Sequence, residues 1–194
     1  ALDIGELAHA RGLKNVFVTN GYMTAEALDA ISPYLDAANV DLKSFSDDFY
    51  KKYCGARLQP VLDSLKRMKE QGIWVEITTL IIPSLNDGDE ELNNIARFIA
   101  SLGPETPWHT SRFHPHYEMT HLPSTPVETL HSAARFGAEA GLKYVYTGNV
   151  PGDRSESTFC SNCENELIDR YGFHINKLNL DGLNCPRCGT PLHG

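Results

Sequence analysis

Four of the five cysteines stand in two Cys-x-x-Cys pairs, Cys160-Ser161-Asn162-Cys163 and Cys185-Pro186-Arg187-Cys188, separated by 21 residues. A Cys-x-x-Cys turn presents two sulfurs on one side of a tight bend. Two such turns closed by a β-hairpin make a tetrahedral S₄ cage. Zinc suits that cage best, and a single iron is the alternative because the same ligands suit it. Disulfides or free thiols are the competing reading. Gly189 follows the second pair, where a knuckle needs a residue with positive φ and amide hydrogens aimed at sulfur. No further ligand is left over for an open coordination position, so the role reads as structural. The fifth cysteine, Cys54, reads as a small packing residue near a helix end, with no basic group placed to lower its pKa.

A second set of chemically capable residues falls in five short stretches. These are Thr19-Asn20-Gly21, Asp41-Leu42-Lys43, 83–86 (Pro-Ser-Leu-Asn), His114-Pro115-His116 and Thr147-Gly148-Asn149. Each follows a short apolar run and precedes a helical pattern. In a parallel α/β sheet the loops after the strands share one edge, and ligands bind there. Ordinary βα turns also favour Asn, Asp, Gly and Pro. Turn geometry does not demand Asp41, Lys43, His114 or His116, so the set reads as one site. Lys43 and the imidazoles suit a carboxylate and a polar ligand edge. A metal reading of His109, His114, His116 and His121 is disfavoured by irregular spacing and intervening prolines. No Gly-rich phosphate turn is present for a flavin or nicotinamide. Asn149 and Arg154 could line a substrate side.

The elements that must position these residues are read from periodicity. Helices are predicted at 2–12, 25–31 with Thr24 as N-cap, from Ser46 onward, 58–71, 89–102 and 127–140. Strands are predicted at 16–18, 37–42, 73–82, 108–113 and 142–146. The alternation predicts a parallel sheet with crossover helices, either open or part of a (β/α) barrel. After Val150-Pro151-Gly152 the rhythm stops, and Phe173, Ile175, Leu178 and Leu180 give a roughly alternating segment between the Cys pairs. The boundary divides a 1–152 α/β domain from a 153–194 Cys₄ module.

A chain of 194 residues holds one domain and a small appendage, and a net charge of −8 argues against a nucleic-acid face. No apolar run approaches the roughly 20 residues that span a bilayer, and no signal peptide is visible, so no membrane role and a cytoplasmic location are expected. The first residues already read as the middle of a helix, which predicts that the protein begins upstream and that this is a C-terminal portion.

The stretches Val18-Thr19-Asn20-Gly21-Tyr22, Val40-Asp41-Leu42-Lys43-Ser44, 81–87 (Ile-Ile-Pro-Ser-Leu-Asn-Asp) and Phe113-His114-Pro115-His116 together resemble the second half of a radical S-adenosylmethionine (radical SAM) enzyme. The resemblance is to the pyruvate formate-lyase activating enzyme group. Within it, Tyr146–Gly152 and the four-Cys module are most similar to the radical SAM branch of the AmmeMemoRadiSam system. It covers essentially the whole chain and implies the C-terminal part of a partial (β/α)₆ barrel plus a zinc-ribbon-like module. By resemblance, Thr19 lies near the methionyl part of S-adenosylmethionine with Asn20 in the same cofactor-binding set. Asp41 sits beside it, Lys43 reaches its carboxylate or ribose, and His116 contacts it from the sixth strand. Val18 stands where activating enzymes carry an acid, so a cation site built on that acid is not expected. The Cys-x-x-x-Cys-x-x-Cys motif for a [4Fe–4S] cluster and the Gly-Gly-Glu stretch are not in this sequence, and the resemblance implies that both lie upstream. The implied activity is reductive cleavage of S-adenosylmethionine to a 5′-deoxyadenosyl radical that abstracts hydrogen from an unknown substrate, a partner protein being one candidate, with this portion inactive alone. The competing readings are a non-catalytic zinc-ribbon module that holds a partner, and a metal-independent (β/α) enzyme using the histidine loop as acid and base.

Overall fold

The computed structural model describes residues 1–193; Gly194, the last residue of the expected Cys₄ module, lies outside the described residues. Two compact units divide at 79/80.

The first unit, residues 1–79, alternates helix and strand: α1 (Leu2–His9), β1 (Val16–Thr19), α2 (Ala25–Ile31), β2 (Ala37–Asp41), the single-turn α3 (Asp47–Phe49), α4 (Leu58–Glu70) and the start of β3 (Trp74–Ile81). Thr24 caps α2 by accepting the Ala27 N–H, as the N-cap expectation requires. β1 pairs parallel with β2, and β2 with β3. Because side chains alternate across a strand, the register sorts them onto two faces. Phe17, Thr19, Ala38, Val40, Val75 and Ile77 share one face. Val16, Val18, Asn39, Asp41, Glu76 and Thr78 share the other. The first is the covered face: Val40, Val75 and Ile77 are fully buried, as are Val61, Leu65 and Met68 of α4. A methyl added at Gly21 would meet Val40 at 2.7 Å and Val61 at 3.3 Å, and Gly21 has φ of +68°. The glycine of Thr-Asn-Gly is thus required by both packing and backbone.

A π-turn over Tyr50–Cys54 follows α3, and sequence periodicity gave no sign of it. It buries Tyr50 and leaves Cys54 exposed. Cys54 is therefore not the packed residue expected, and partial burial pushes its thiol up rather than activating it.

The second unit, residues 80–194, carries α5 (Asp89–Leu102), β4 (Trp108–Arg112), α6 (Val127–Glu139) and β5 (Val145–Gly148). β4 and β5 are parallel, with Trp108 opposite Val145 and His109 opposite Tyr146. A methyl on Gly137 of α6 would meet Val145 at 2.6 Å and Trp108 at 3.3 Å, so α6 covers the Trp108–Val145 face and leaves His109 and Tyr146 on the other. The last strand begins later than the expected Leu142–Tyr146. Leu142 N donates to Gly137 O and Lys143 N to Pro104 O, so residues 142–144 (Leu-Lys-Tyr) join α6 to the sheet before pairing starts. The five strands follow one another as β1-β2-β3-β4-β5 in one sheet, which defines an α/β fold.

A separate three-stranded antiparallel sheet follows, β6 (Thr158–Phe159), β7 (Glu166–Tyr171) and β8 (His174–Leu178). The β7–β8 hairpin absorbs the long gap between the Cys pairs. Its alternating residues do not build a core: Phe173, Ile175 and Leu178 are exposed, and Leu167 is the buried anchor, with Leu180 packed beside it.

Candidate functional site

The four cysteines converge as their spacing predicts. Their Sγ atoms all lie within 4.8 Å of one another. Cys160 and Cys188 are 3.5 Å apart at sulfur, and Cys163 and Cys185 are 3.7 Å apart. A tetrahedron with metal–sulfur arms of about 2.3 Å has edges of about 3.8 Å, so the sulfurs fit a metal ion. They are far too distant for disulfides, whose S–S bond is about 2.05 Å.

Each pair sits on the same backbone knuckle. In the first, Cys160 N donates to Asn165 O and Glu164 N to Cys160 O; in the second, Cys185 N donates to Thr190 O and Gly189 N to Cys185 O. Glu164 and Gly189 hold matching left-handed positions, with φ of 57° and 73°. The Gly189 amide thus goes to a carbonyl, and other groups reach the sulfurs. The Arg187 and Cys188 amides face Cys185, and Asn165 Nδ2 lies 3.8 Å from it. The Thr190 side chain, 3.2 Å from Cys188, and the Thr190 amide draw the Cys188 thiol down to about 5. The Asn165 amide favours the Cys163 thiolate, yet burial and the three neighbouring sulfurs push that thiol up to about 12.

The strand-end residues are placed within each unit as follows. In the first, Lys43 Nζ pairs with Asp41 Oδ2 at 2.7 Å, both about one-third exposed. Tyr50 Oη accepts the Lys43 N–H at 3.0 Å, so the unforeseen π-turn fixes the backbone under this lysine. Asp41 shares the uncovered face with Asn39, Glu76 and Thr78; Thr78 Oγ1 donates to Asn39 Oδ1, and Trp74 Nε1 to Glu76 Oε1. Thr19 lies on the opposite, covered face, where its Oγ1 accepts the Gly21 N–H. Asn20 Oδ1 accepts the Tyr22 N–H. Thr19 and Asn20 thus hydrogen-bond within their own turn, and Asp41 and Lys43 form an ion pair.

In the second unit, Asn86 is a structural clamp: its Oδ1 accepts the Ile82 N–H at 2.6 Å and its Nδ2 donates to Leu80 O at 2.9 Å. The buried Thr125 hydroxyl donates to Ile81 O and accepts the Phe113 N–H, which pins the end of the long loop carrying His114 and His116. His114 Nε2 lies 3.4 Å from Asn149 O, and Asn149 Nδ2 donates to Arg112 O. His116 is exposed on extended backbone. Among the described residues, no metal-ligand group includes His109, His114, His116 or His121. Arg154 lies over the Phe159 ring, 4.6 Å from its centroid. Sequence reasoning missed the stack of His109 on Tyr146, centroids 5.2 Å apart, because only the β4–β5 register brings them together.

The chain belongs to the Radical SAM superfamily, whose family model matches residues 2–99. Among curated relatives, it is 48% identical over 193 residues to an uncharacterized protein of Methanocaldococcus jannaschii, covering 98% of this chain and 57% of that protein. It is 29% identical over 101 residues to a pyruvate formate-lyase-activating enzyme of Clostridium pasteurianum, covering 52% of this chain and 42% of that enzyme. The chain thus spans about half the length of these relatives. Its fold resembles a domain of pyruvate-formate lyase-activating enzyme from Bacteroides vulgatus, with a TM-score of 0.67 at 20% identity, covering 76% of this chain and 89% of that one. It also resembles Streptococcus suis SuiB bound to S-adenosylmethionine, with a TM-score of 0.61 at 10% identity, covering 76% of this chain and 36% of that one. No helix of the described residues is long and apolar enough to cross a membrane.

Proposed function

We propose that this chain is the C-terminal portion of an activating-enzyme-like radical SAM enzyme whose cluster-binding cysteines lie outside it. The observation that carries the reading is the family match over residues 2–99, which contains Asp41 and Lys43. S-adenosylmethionine bound to a [4Fe–4S] cluster supplies, on reduction, a 5′-deoxyadenosyl radical able to abstract hydrogen. This chain's part is positioning. Lys43, oriented by Asp41 and by Tyr50 beneath its amide, offers an ammonium to the methionyl carboxylate. Asp41 adds an acceptor for a ribose hydroxyl or amino group. Thr19 and Asn20 hold the turn beside them, and His116 is assigned to the same cofactor on the resemblance.

The four cysteines hold a structural zinc, or one iron in the same cage, and the whole is read as part of a partial (β/α)₆ barrel in a cytoplasmic enzyme. The division into a 1–152 barrel part and a 153–194 module follows the change of sheet after β5. The substrate is read as a partner protein. A partner-holding role for the module draws on the exposed Phe173, Ile175 and Leu178 of its hairpin.

The test is the parent protein with reconstituted cluster, assayed for 5′-deoxyadenosine under reduction. Turnover is expected, with S-adenosylmethionine bound roughly tenfold more weakly by Lys43→Ala. No 5′-deoxyadenosine from cluster-loaded protein would overturn the proposal.

A further inference from the structure

On the sheet face that α6 leaves uncovered, the Cys₄ module delivers one arginine. Arg170 of β7 stands over the Tyr146 ring, its Cζ 5.8 Å from the centroid. Its Nη1 donates to Thr158 Oγ1 at 2.5 Å and reaches Glu156 O at 3.5 Å. Tyr146 Oη shares the same Thr158 hydroxyl at 3.0 Å, and Tyr146 in turn stacks on His109. One guanidinium nitrogen and one face are therefore fixed. Among the described residues, Nε and Nη2 find no acceptor, and no carboxylate pairs with this arginine. The nearby carboxylate of Glu156 is committed elsewhere: its Oε2 accepts the N–H groups of Gly152 and Gly172. A guanidinium held by its face and one corner keeps its remaining edge in the planar, two-donor geometry that matches an oxyanion. In a chain of net charge −8, an uncompensated arginine aimed from a metal-ordered module at a sheet face is not general surface charge.

We propose that Arg170 is an oxyanion-binding residue on the β4–β5 face opposite α6, taking a substrate carboxylate or phosphate group through its Nε–Nη2 edge. Tyr146 and Thr158 act as positioning residues: one supports the guanidinium plane and the other fixes its rotation about that plane. The word "substrate" rests on the radical SAM reading above; the oxyanion site itself does not.

The experiment titrates the metal-loaded chain with acetate, and separately with inorganic phosphate, against chloride at matched ionic strength. The readouts are the Arg170 Nε–H and His109 ring resonances. No S-adenosylmethionine or reductant is present, so the result stands whichever way the cleavage assay falls. A saturable one-site response is expected with at least one of the two anions, and which one saturates assigns the carboxylate or phosphate class. Read at His109, binding weakens roughly tenfold or more in Arg170→Ala. It is partly restored in Arg170→Lys, which keeps the charge but not the fork, and is unchanged in Arg97→Ala on α5. A response equal to that of chloride, or one that survives Arg170→Ala in protein whose other resonances are unmoved, overturns the proposal. Arg170 would then only brace Tyr146.

Discussion

The βα layer and the four-cysteine module are ordered by different physics. In the layer, Val40, Ile77, Ile99 and Trp108 are fully buried, and the strands are positioned by apolar packing from helices with one apolar face. In the module, the buried set is little more than Cys160, Leu167 and Cys185, and most of β7 and all of β8 remain at least partly exposed. So small an apolar cluster cannot offset the entropy of ordering a hairpin and two knuckles. The module's order rests instead on repeated backbone bonds around each Cys-x-x-Cys turn and, on the proposed function, on a metal ion shared by the four converging sulfurs. The layer is thus held by apolar area, and the proposal assigns the module's order to coordination.

The comparison predicts a graded series. The largest effect is removal of the module's ligand set. Cys163→Ser, or chelation, should abolish tight metal binding, a loss of about 10 kcal/mol of binding free energy, and unfold β6–β8. The layer should keep its far-ultraviolet helix signal and its cooperative unfolding; simultaneous loss of both would refute separate bases of order. Next is Trp108→Ala, which empties a fully buried site against α6. It should destabilise the layer by about 3–5 kcal/mol in denaturant unfolding and leave metal content unchanged. Asn86→Ala strands the buried Ile82 N–H at the end of β3 and should cost about 2 kcal/mol in the same measurement. The smallest effect has the opposite sign. Glu164→Gly relieves a left-handed residue at the position Gly189 fills in the twin knuckle, and should stabilise the metal-bound module by about 1 kcal/mol. A loss of stability there would mean that the Glu164 side chain does more than occupy a turn.

What the sequence disclosed divides along the same line. Local signals were legible: the Thr24 cap, the 3.6-residue stripes of α4 and α5, and the Cys-x-x-Cys pairs each fix structure within a few residues. Signals that depend on register or tertiary partners were not. Thr19 and Asp41 both end strands, yet parity places them on opposite faces. Residues 142–144 read as strand but connect α6 to the sheet through Gly137 O and Pro104 O. Phe173 and Ile175 read as part of a roughly alternating segment, but in the hairpin both are exposed while Leu167 is buried. The Arg170–Tyr146–His109 assembly joins three elements that no periodicity links. Beside Asp41 and Lys43, the Tyr50 hydroxyl that accepts the Lys43 N–H lies in a π-turn without a sequence signature.

The most direct test of the account is metal analysis of the purified chain combined with X-ray absorption at the metal edge. The account predicts one metal per chain with four sulfur neighbours at about 2.3 Å. Zinc would give no visible absorption, and a single iron would give sulfur-to-iron charge-transfer bands. A chain that folds its β6–β8 sheet without metal, or that holds Cys160, Cys163, Cys185 and Cys188 as disulfides, would contradict it.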